Sequence, residues 1–247
     1  MNSYNTESTL YFSDFPCYNR NTVLYPRKGN DNKEDIQMSK TNTKKIVILG
    51  LMTALLLLFS FTPIGTIPVG PLSITLNIIP IAIAAIALGP VGGLVIGSVF
   101  GILSFLQCFG IGIPSGMGAT LVSINPLLAF IQRFVPRAMD GLLIGLIHKG
   151  LSKKIGGGKA SFITGFCSAF FNTAFFMSAL VLLFGKTDYV QGLYEKFGKS
   201  YTLGGTLAFI CLFVGINAVV EMITSTIISG GVGAALYGAH ILPLEDN

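Results

Sequence analysis

"FIQRFVPRAMDG", residues 130–141, lies inside a run that otherwise reads as membrane helix. It places Arg133, Arg137 and Asp140, with Pro136 among them, where hydrocarbon should be. The architecture turns on whether a helix can carry these groups through a bilayer.

The surrounding composition is that of an integral membrane protein. Of 247 residues, 51% are hydrophobic and 11% charged, against about 25% charged in a soluble domain. Mean hydropathy is +0.70. Several apolar runs are long enough to cross the ~30 Å of hydrocarbon in a bilayer. The 30 glycines suit helices that approach closely in lipid. A soluble all-α protein is the competing reading, and the shortage of charge speaks against it. The net charge of +5 does not call for nucleic acid. Much of the basic excess falls in short segments between apolar runs, where it sets topology. Cys17, Cys108, Cys167 and Cys211 are scattered, with no CxxC spacing. Neither a zinc site nor a disulfide framework is indicated, and the cysteines read as small apolar fillers.

Residues 1–43 are polar and show no sustained period of 2 or 3.6. They are expected to form a disordered extension, and Met38, opening "MSKTNTKK", offers an alternative native start. A six-helix membrane domain is expected over residues 44–238, followed by a short tail at 239–247. The spans fall at about residues 44–61, 75–88, 90–107, 125–148, 162–184 and 203–228. Between the first two, "TPIGTIPVGPLSI" carries Pro63, Pro68, Pro71, Gly65 and Gly70. These forbid a continuous helix, and the alternating apolar residues predict an extended or hairpin-like lid. "LGPVGG" leaves room only for a tight turn between spans two and three. Six spans put both termini on one side. Lys44, Lys45, Lys149, Lys153, Lys154 and Lys159 fall on that side, which makes it cytoplasmic. Five spans would instead place the C-terminus outside.

Small residues recur every four positions at Gly93, Gly97 and Gly101, and at Ser161, Gly165, Ala169 and Thr173. That spacing lines one helix face and lets backbones approach. Packing within the bundle is expected for spans three and five. Gly50 and Ala54 form a shorter version on span one, which can face the bundle or another subunit.

Counting ~1.5 Å per residue inward from Asn125 puts Arg133 about 12 Å deep, Arg137 about 18 Å and Asp140 about 22 Å. Their i, i+4, i+7 spacing gives them one face. Pro136 lacks an N–H and should kink the helix. Asn172 and Thr173 lie midway along span five, and Asn217 and Glu221 share a face of span six. Asn77 and Gln107 sit nearer the outer ends of spans two and three. A polar interior opening outward follows. Asp140 and Glu221 are the only acids deep in the bundle, so Arg137 is expected to pair with one of them. Arg133 has no carboxylate at its level. It is free to grip an anionic ligand in a bidentate manner, or else to cap carbonyls near the kink. The expected ligand contacts are Arg133, Asn172, Asn217, Asn77, Gln107 and Asn125.

No GxSxG, HExxH or paired-cysteine motif occurs, which argues against an intramembrane enzyme. "IGGGKAS" (155–161) is not a phosphate loop: Lys153 stands where the first glycine belongs, and Ala160 follows the lysine. ATP-driven uptake would need another polypeptide to bind ATP. A stand-alone carrier coupling protons through Asp140 or Glu221 is the competing function, though no clear inverted repeat supports it.

Six short spans, an uncharged lid-like first loop and no ATPase together resemble the substrate-binding S components of energy-coupling factor (ECF) vitamin transporters. The resemblance covers Lys44 to the C-terminus. "LGPVGGLVIGSVFGILSF", "FVPR" (134–137), "FNT" (171–173) and "NAVVE" (217–221) are similar to the pantothenate branch. The resemblance implies a small water-soluble vitamin, pantothenate or another, bound from outside under closing loops. It also implies a shared transmembrane T subunit, docked through Gly50 and Ala54, and two ATP-binding-cassette subunits. A prokaryotic plasma membrane is implied, and no cofactor or metal.

Overall fold

The computed structural model describes residues 31–69, 72–196 and 203–242. Most of the expected N-terminal extension, residues 1–30, and the end of the tail, 243–247, lie outside them. The chain divides into two units, Met1–Thr43 and Lys44–Asn247. In the first, helical backbone begins at Asp31. All that follows concerns the second.

Among the described residues the protein is helical apart from one hairpin. Helix α1 (Asp31–Phe61) leads into strands β1 (Thr66–Val69) and β2 (Leu72–Thr75). The strands pair antiparallel, with Thr66 opposite Thr75 and Val69 opposite Leu72. This is the extended hairpin that the proline and glycine spacing predicts.

Helix α2 (Ile78–Leu106) is two helices in series. They meet at Gly89, whose φ of 72° and ψ of −160° suit glycine because it has no Cβ to clash. Pro90 opens the second half, where its missing N–H costs nothing. Every residue from Ile78 to Ile86 is buried, so the first half is the central helix, and it is correspondingly apolar all round.

A 3-10 turn (Gln107–Phe109) leads to α3 (Gly116–Ile124), then α4 (Pro126–Ile155), α5 (Gly157–Phe184), α6 (Asp188–Lys196) and α7 (Leu203–Gly238). Helix α3 falls in the glycine-rich "CFGIGIPSGMGATLVS" (108–123), which reads as a polar segment, and two further elements depart from expectation. "GKTDYVQGLYEKFGKSY" reads as a polar loop, yet it contains α6, with Val190, Leu193 and Tyr194 buried. They lie at i, i+3 and i+4, so one face packs while the rest stays polar. They join Met117 and Leu121 of α3, Ala129 of α4 and Leu180 and Phe184 of α5 in one apolar cluster. The glycine-rich "SGGVGAALYG" (229–238), beyond the expected end of the sixth span at 228, is helical and continues α7 to Gly238.

Among the described residues, four helical segments are long and apolar enough to cross a membrane: Thr43–Phe61, Ile78–Phe109, Gly157–Phe184 and Asn217–Gly238. Helix α4 carries too many charges to join them by composition. Its pattern is nevertheless inside-out. Gln132, Arg133, Pro136, Arg137, Asp140 and His148 are buried, while Val135, Met139, Leu142 and Leu146 face outward. The helix continues through Pro136 as one element.

Glycine sets how closely the helices approach. A Cβ on Gly93 would meet the Gly141 carbonyl, and one on Gly97 the Arg137 carbonyl. A Cβ on Gly145 would meet Pro90, beside the break in α2. Helices α2 and α4 therefore touch backbone to backbone. Between α5 and α7, Gly165 faces Ser225, whose hydroxyl donates to the Gly165 carbonyl at 2.8 Å. Gly233 lies against Ser161 and Gly230 against Phe162. This packing explains why α7 stays helical through its glycines. Gly50 differs, since a Cβ there would meet nothing within 4 Å.

Candidate functional site

The inward faces of α2, α4, α5 and α7 line a half-open cavity of about 100 Å³. The end of β2 and the segment leading into α3 complete its wall, through Thr75, Ile113, Pro114 and Ser115. Five of the six expected ligand contacts line it: Arg133, Asn172, Asn217, Asn77 and Gln107. Arg137 and Glu221 line it too.

Arg133 is 6% exposed. Its Nη2 donates to Ser115 Oγ at 3.0 Å, and its Nη1 to Ser104 Oγ at 3.5 Å. The Phe176 ring lies 5.2 Å from its guanidinium carbon. These partners are neutral, so they orient the charge without cancelling it. Tyr189 of α6 lies close enough to feel that charge: burial pushes its phenol up, and Arg133 partly offsets this.

Arg137 has another role. Its guanidinium carbon sits 4.9 Å from the Phe100 ring and 4.9 Å from the Phe176 ring. Stacking between aromatic faces is geometry that a planar guanidinium favours. Its Nη1 donates to the Arg133 carbonyl at 2.9 Å, in the turn that Pro136 deprives of an N–H. Arg137 thus bonds a carbonyl beside the proline, whereas the carbonyl that Pro136 leaves without its donor is that of Gln132. Among the described residues, the Nε of each arginine has no partner.

The expected ion pair of Arg137 with Asp140 or Glu221 is not what these side chains make. Glu221 Oε1 accepts the Thr75 N–H at 2.7 Å. Asp140 is fully buried outside the cavity lining, and its Oδ2 accepts the Ser168 hydroxyl at 3.5 Å. Depth along a helix does not fix rotation about it. Asp140 turns to α5, and Glu221 turns to the hairpin.

Asn77 and Gln107 share one neighbour at the end of α1. The Ser60 hydroxyl donates to Asn77 Oδ1 at 3.4 Å, and Gln107 Nε2 donates to the Ser60 carbonyl at 3.3 Å. Asn172 is 6% exposed, with its Oδ1 unpartnered among the described residues. Asn125 is a correction. It lies outside the cavity lining and is the N-cap of α4, its Oδ1 accepting the Leu127 and Leu128 N–H groups at 3.1 Å each. Reading the sequence missed Ser104, Ser115, Thr75 and the Phe100–Phe176 pair. The Asn-Pro step at 125–126 was a cap signal, whereas isolated serines carry no pattern.

Arg133, Arg137 and Glu221 give the lining a formal charge of +1 (two positive, one negative). The unpartnered Nε groups and Asn172 oxygen are buried polar atoms that a ligand can satisfy. Such a cavity is suited to holding a small monoanion with further polar groups.

An all-helical chain with several membrane-capable segments and a buried cationic cavity defines a multi-pass membrane protein that binds a solute. Residues 44–232 match the family described as the substrate-specific component of ECF transporters, and the chain belongs to that family. It is a transporter component, not an enzyme. It is similar to the pantothenic acid transporter PanT of Lactococcus lactis subsp. cremoris (strain MG1363), at 25% identity over 214 residues, covering 82% of this chain and 98% of that one. It is also similar to the pantothenate transporter PanT of Leuconostoc mesenteroides subsp. mesenteroides, at 36% identity over 123 residues, covering 47% of this chain and 57% of that one.

Proposed function

We propose that the chain is the membrane-embedded, high-affinity pantothenate-binding subunit of an ATP-driven ECF importer in a prokaryotic plasma membrane. The observation that carries this is the buried cavity holding Arg133 and Arg137 with Glu221 as its one carboxylate. Pantothenate supplies one carboxylate for Arg133, with an amide and two hydroxyls for the polar wall. The names of both relatives support the same substrate.

The chain crosses the membrane six times: α1, the two halves of α2, α4, α5 and α7. The first half of α2 is short, about 16 Å at 1.5 Å per residue. Protein encloses it almost wholly, so it need not meet lipid along its length. The inside-out pattern of α4 supports its place as a crossing, because intramembrane charges turn toward the bundle interior. Both termini are then cytoplasmic, on the side of Lys149, Lys153, Lys154 and Lys159. The β1–β2 hairpin and α6 lie on the outer side, and the hairpin closes over the bound vitamin.

Helix α1 supplies the docking face for the T subunit. Gly50 and Ala54 are exposed, beside Val47, Leu51 and Leu58 on one face of the helix. Two ATP-binding-cassette subunits complete the importer and supply the ATP chemistry that this chain lacks.

The test is calorimetric titration of purified chain, without ATP, against pantothenate and a panel of other water-soluble vitamins. Selective binding of pantothenate is expected. Binding of a different vitamin alone would overturn the substrate, and proton-driven uptake by this chain alone in liposomes would overturn the ECF coupling.

A further inference from the structure

Glu221 lies on α7, 6% exposed, and contributes to the cavity wall. One oxygen accepts the Thr75 N–H at 2.7 Å, across 146 positions of sequence. Among the described residues no donor meets the other oxygen, which stays open to the cavity. An ionised carboxylate has about four acceptor sites, and a buried one is costly unless its bonds are made. Arg137 does not fill the deficit, since it is held between two phenylalanine rings and bonded to the Arg133 carbonyl. Asn172 and Asn217 also line the cavity, but their amides carry no charge.

We infer that Glu221 is the specificity-determining acceptor of the site, selecting ligands that bring a hydrogen-bond donor together with their anion. The same carboxylate, through Thr75, fixes the β1–β2 hairpin to α7 at the edge of the cavity. A ligand anchored at Arg133 by its carboxylate reaches Glu221 with a hydroxyl. A simple monocarboxylate of similar size lacks that second contact and leaves the Glu221 acceptor without a partner. Discrimination then comes from the cost of the unmade bond rather than from shape. One residue thus reads the ligand and holds the hairpin.

The inference rests on pantothenate being the ligand. Two probes test it: pantothenate, and the β-alanine amide of 3,3-dimethylbutanoic acid, which keeps the carboxylate and amide but lacks both hydroxyls. Titrations compare the wild-type chain, Glu221→Gln and Thr75→Pro, each checked for a retained unfolding transition in detergent. The wild-type chain should bind the deoxy probe at least about tenfold more weakly than pantothenate. Glu221→Gln should narrow that gap to about threefold or less. Thr75→Pro removes the N–H without touching the carboxylate; it should weaken both probes alike and leave the gap intact. A full gap in folded Glu221→Gln overturns the inference. If Glu221→Gln does not fold, the absence of any gap in the wild-type chain, or a gap abolished by Thr75→Pro, overturns it instead. A wild-type chain that binds neither probe overturns the pantothenate reading, and the inference with it.

Discussion

Nη2 of Arg133 donates to Oγ of Ser115 at 3.0 Å, and the same oxygen accepts the Gly118 N–H at 3.1 Å. One hydroxyl therefore caps α3 and aims the arginine of α4. The helix start outside the bundle and the charge inside it are set by the same atom. Ser115→Ala removes both bonds. The lost cap costs ~1 kcal/mol of stability, and the guanidinium loses its closest anchor. Anion affinity should fall about three- to tenfold, with only a small drop in unfolding temperature. Titration and a thermal melt on the same preparation check this.

Gly118 has its own consequence. A Cβ there would lie 2.9 Å from Arg133 Nη2 and 3.0 Å from Ser115 Oγ, and would also meet Cys108 Sγ. Gly118→Ala should displace the guanidinium and weaken binding at least as much as Ser115→Ala. A crystal structure of the variant should show Arg133 in a new rotamer.

The glycines divide into two kinds. Gly93 and Gly141 stand against each other's carbonyls, and backbone cannot yield. Gly93→Val or Gly141→Val should destabilise the bundle by about 1–3 kcal/mol or more, read as a lower unfolding temperature in detergent. Gly50 meets nothing within 4 Å. Gly50→Val should leave the melt and the vitamin affinity unchanged while reducing co-purification with the T subunit.

The contrast shows what the sequence could say. The every-fourth-residue spacing was visible at all three sites, and packing within the bundle was expected on spans three and five; for Gly50 and Ala54 the spacing left open what they meet, because it fixes a face and not its direction. The helix limits at 61, 89–90 and 184 were legible since Gly-Pro steps and polar breaks mark them. The hairpin was legible from Pro68, Pro71 and Gly70. The polar interior was legible from depth alone, and Arg133, Asn172 and Asn217 do line one cavity. The pairing of its charges was not. Arg137 and Asp140 are three residues apart, yet one faces Phe100 and Phe176 and the other faces Ser168. Asn125 was misplaced because a polar residue at a span end serves a cap as readily as a ligand. Helix α6 was missed although Val190, Leu193 and Tyr194 already carried the helical spacing.

Arg137 should not tolerate its usual replacement. Lysine keeps the charge but cannot stack as a plane between Phe100 and Phe176 or donate in the same fork. Arg137→Lys should lower the unfolding temperature. It should also weaken pantothenate binding less than Arg133→Ala does, because Arg137 serves the scaffold first. Side-by-side melts and titrations of the two variants check the order.

The central claim is that Arg133 receives the carboxylate of pantothenate. Calorimetric titration of pantothenate into wild-type and Arg133→Ala chain, purified in detergent without ATP, tests it most directly. One vitamin per wild-type chain is predicted, with affinity reduced about a hundredfold in Arg133→Ala, consistent with losing ~3 kcal/mol from a charge-assisted pair. The variant should keep its own unfolding transition but lose the stabilisation of ~2.7 kcal/mol that a ligand at 100 times its Kd confers on the wild-type chain. Equal affinity in a folded Arg133→Ala chain, or no binding to the wild-type chain, would contradict the account.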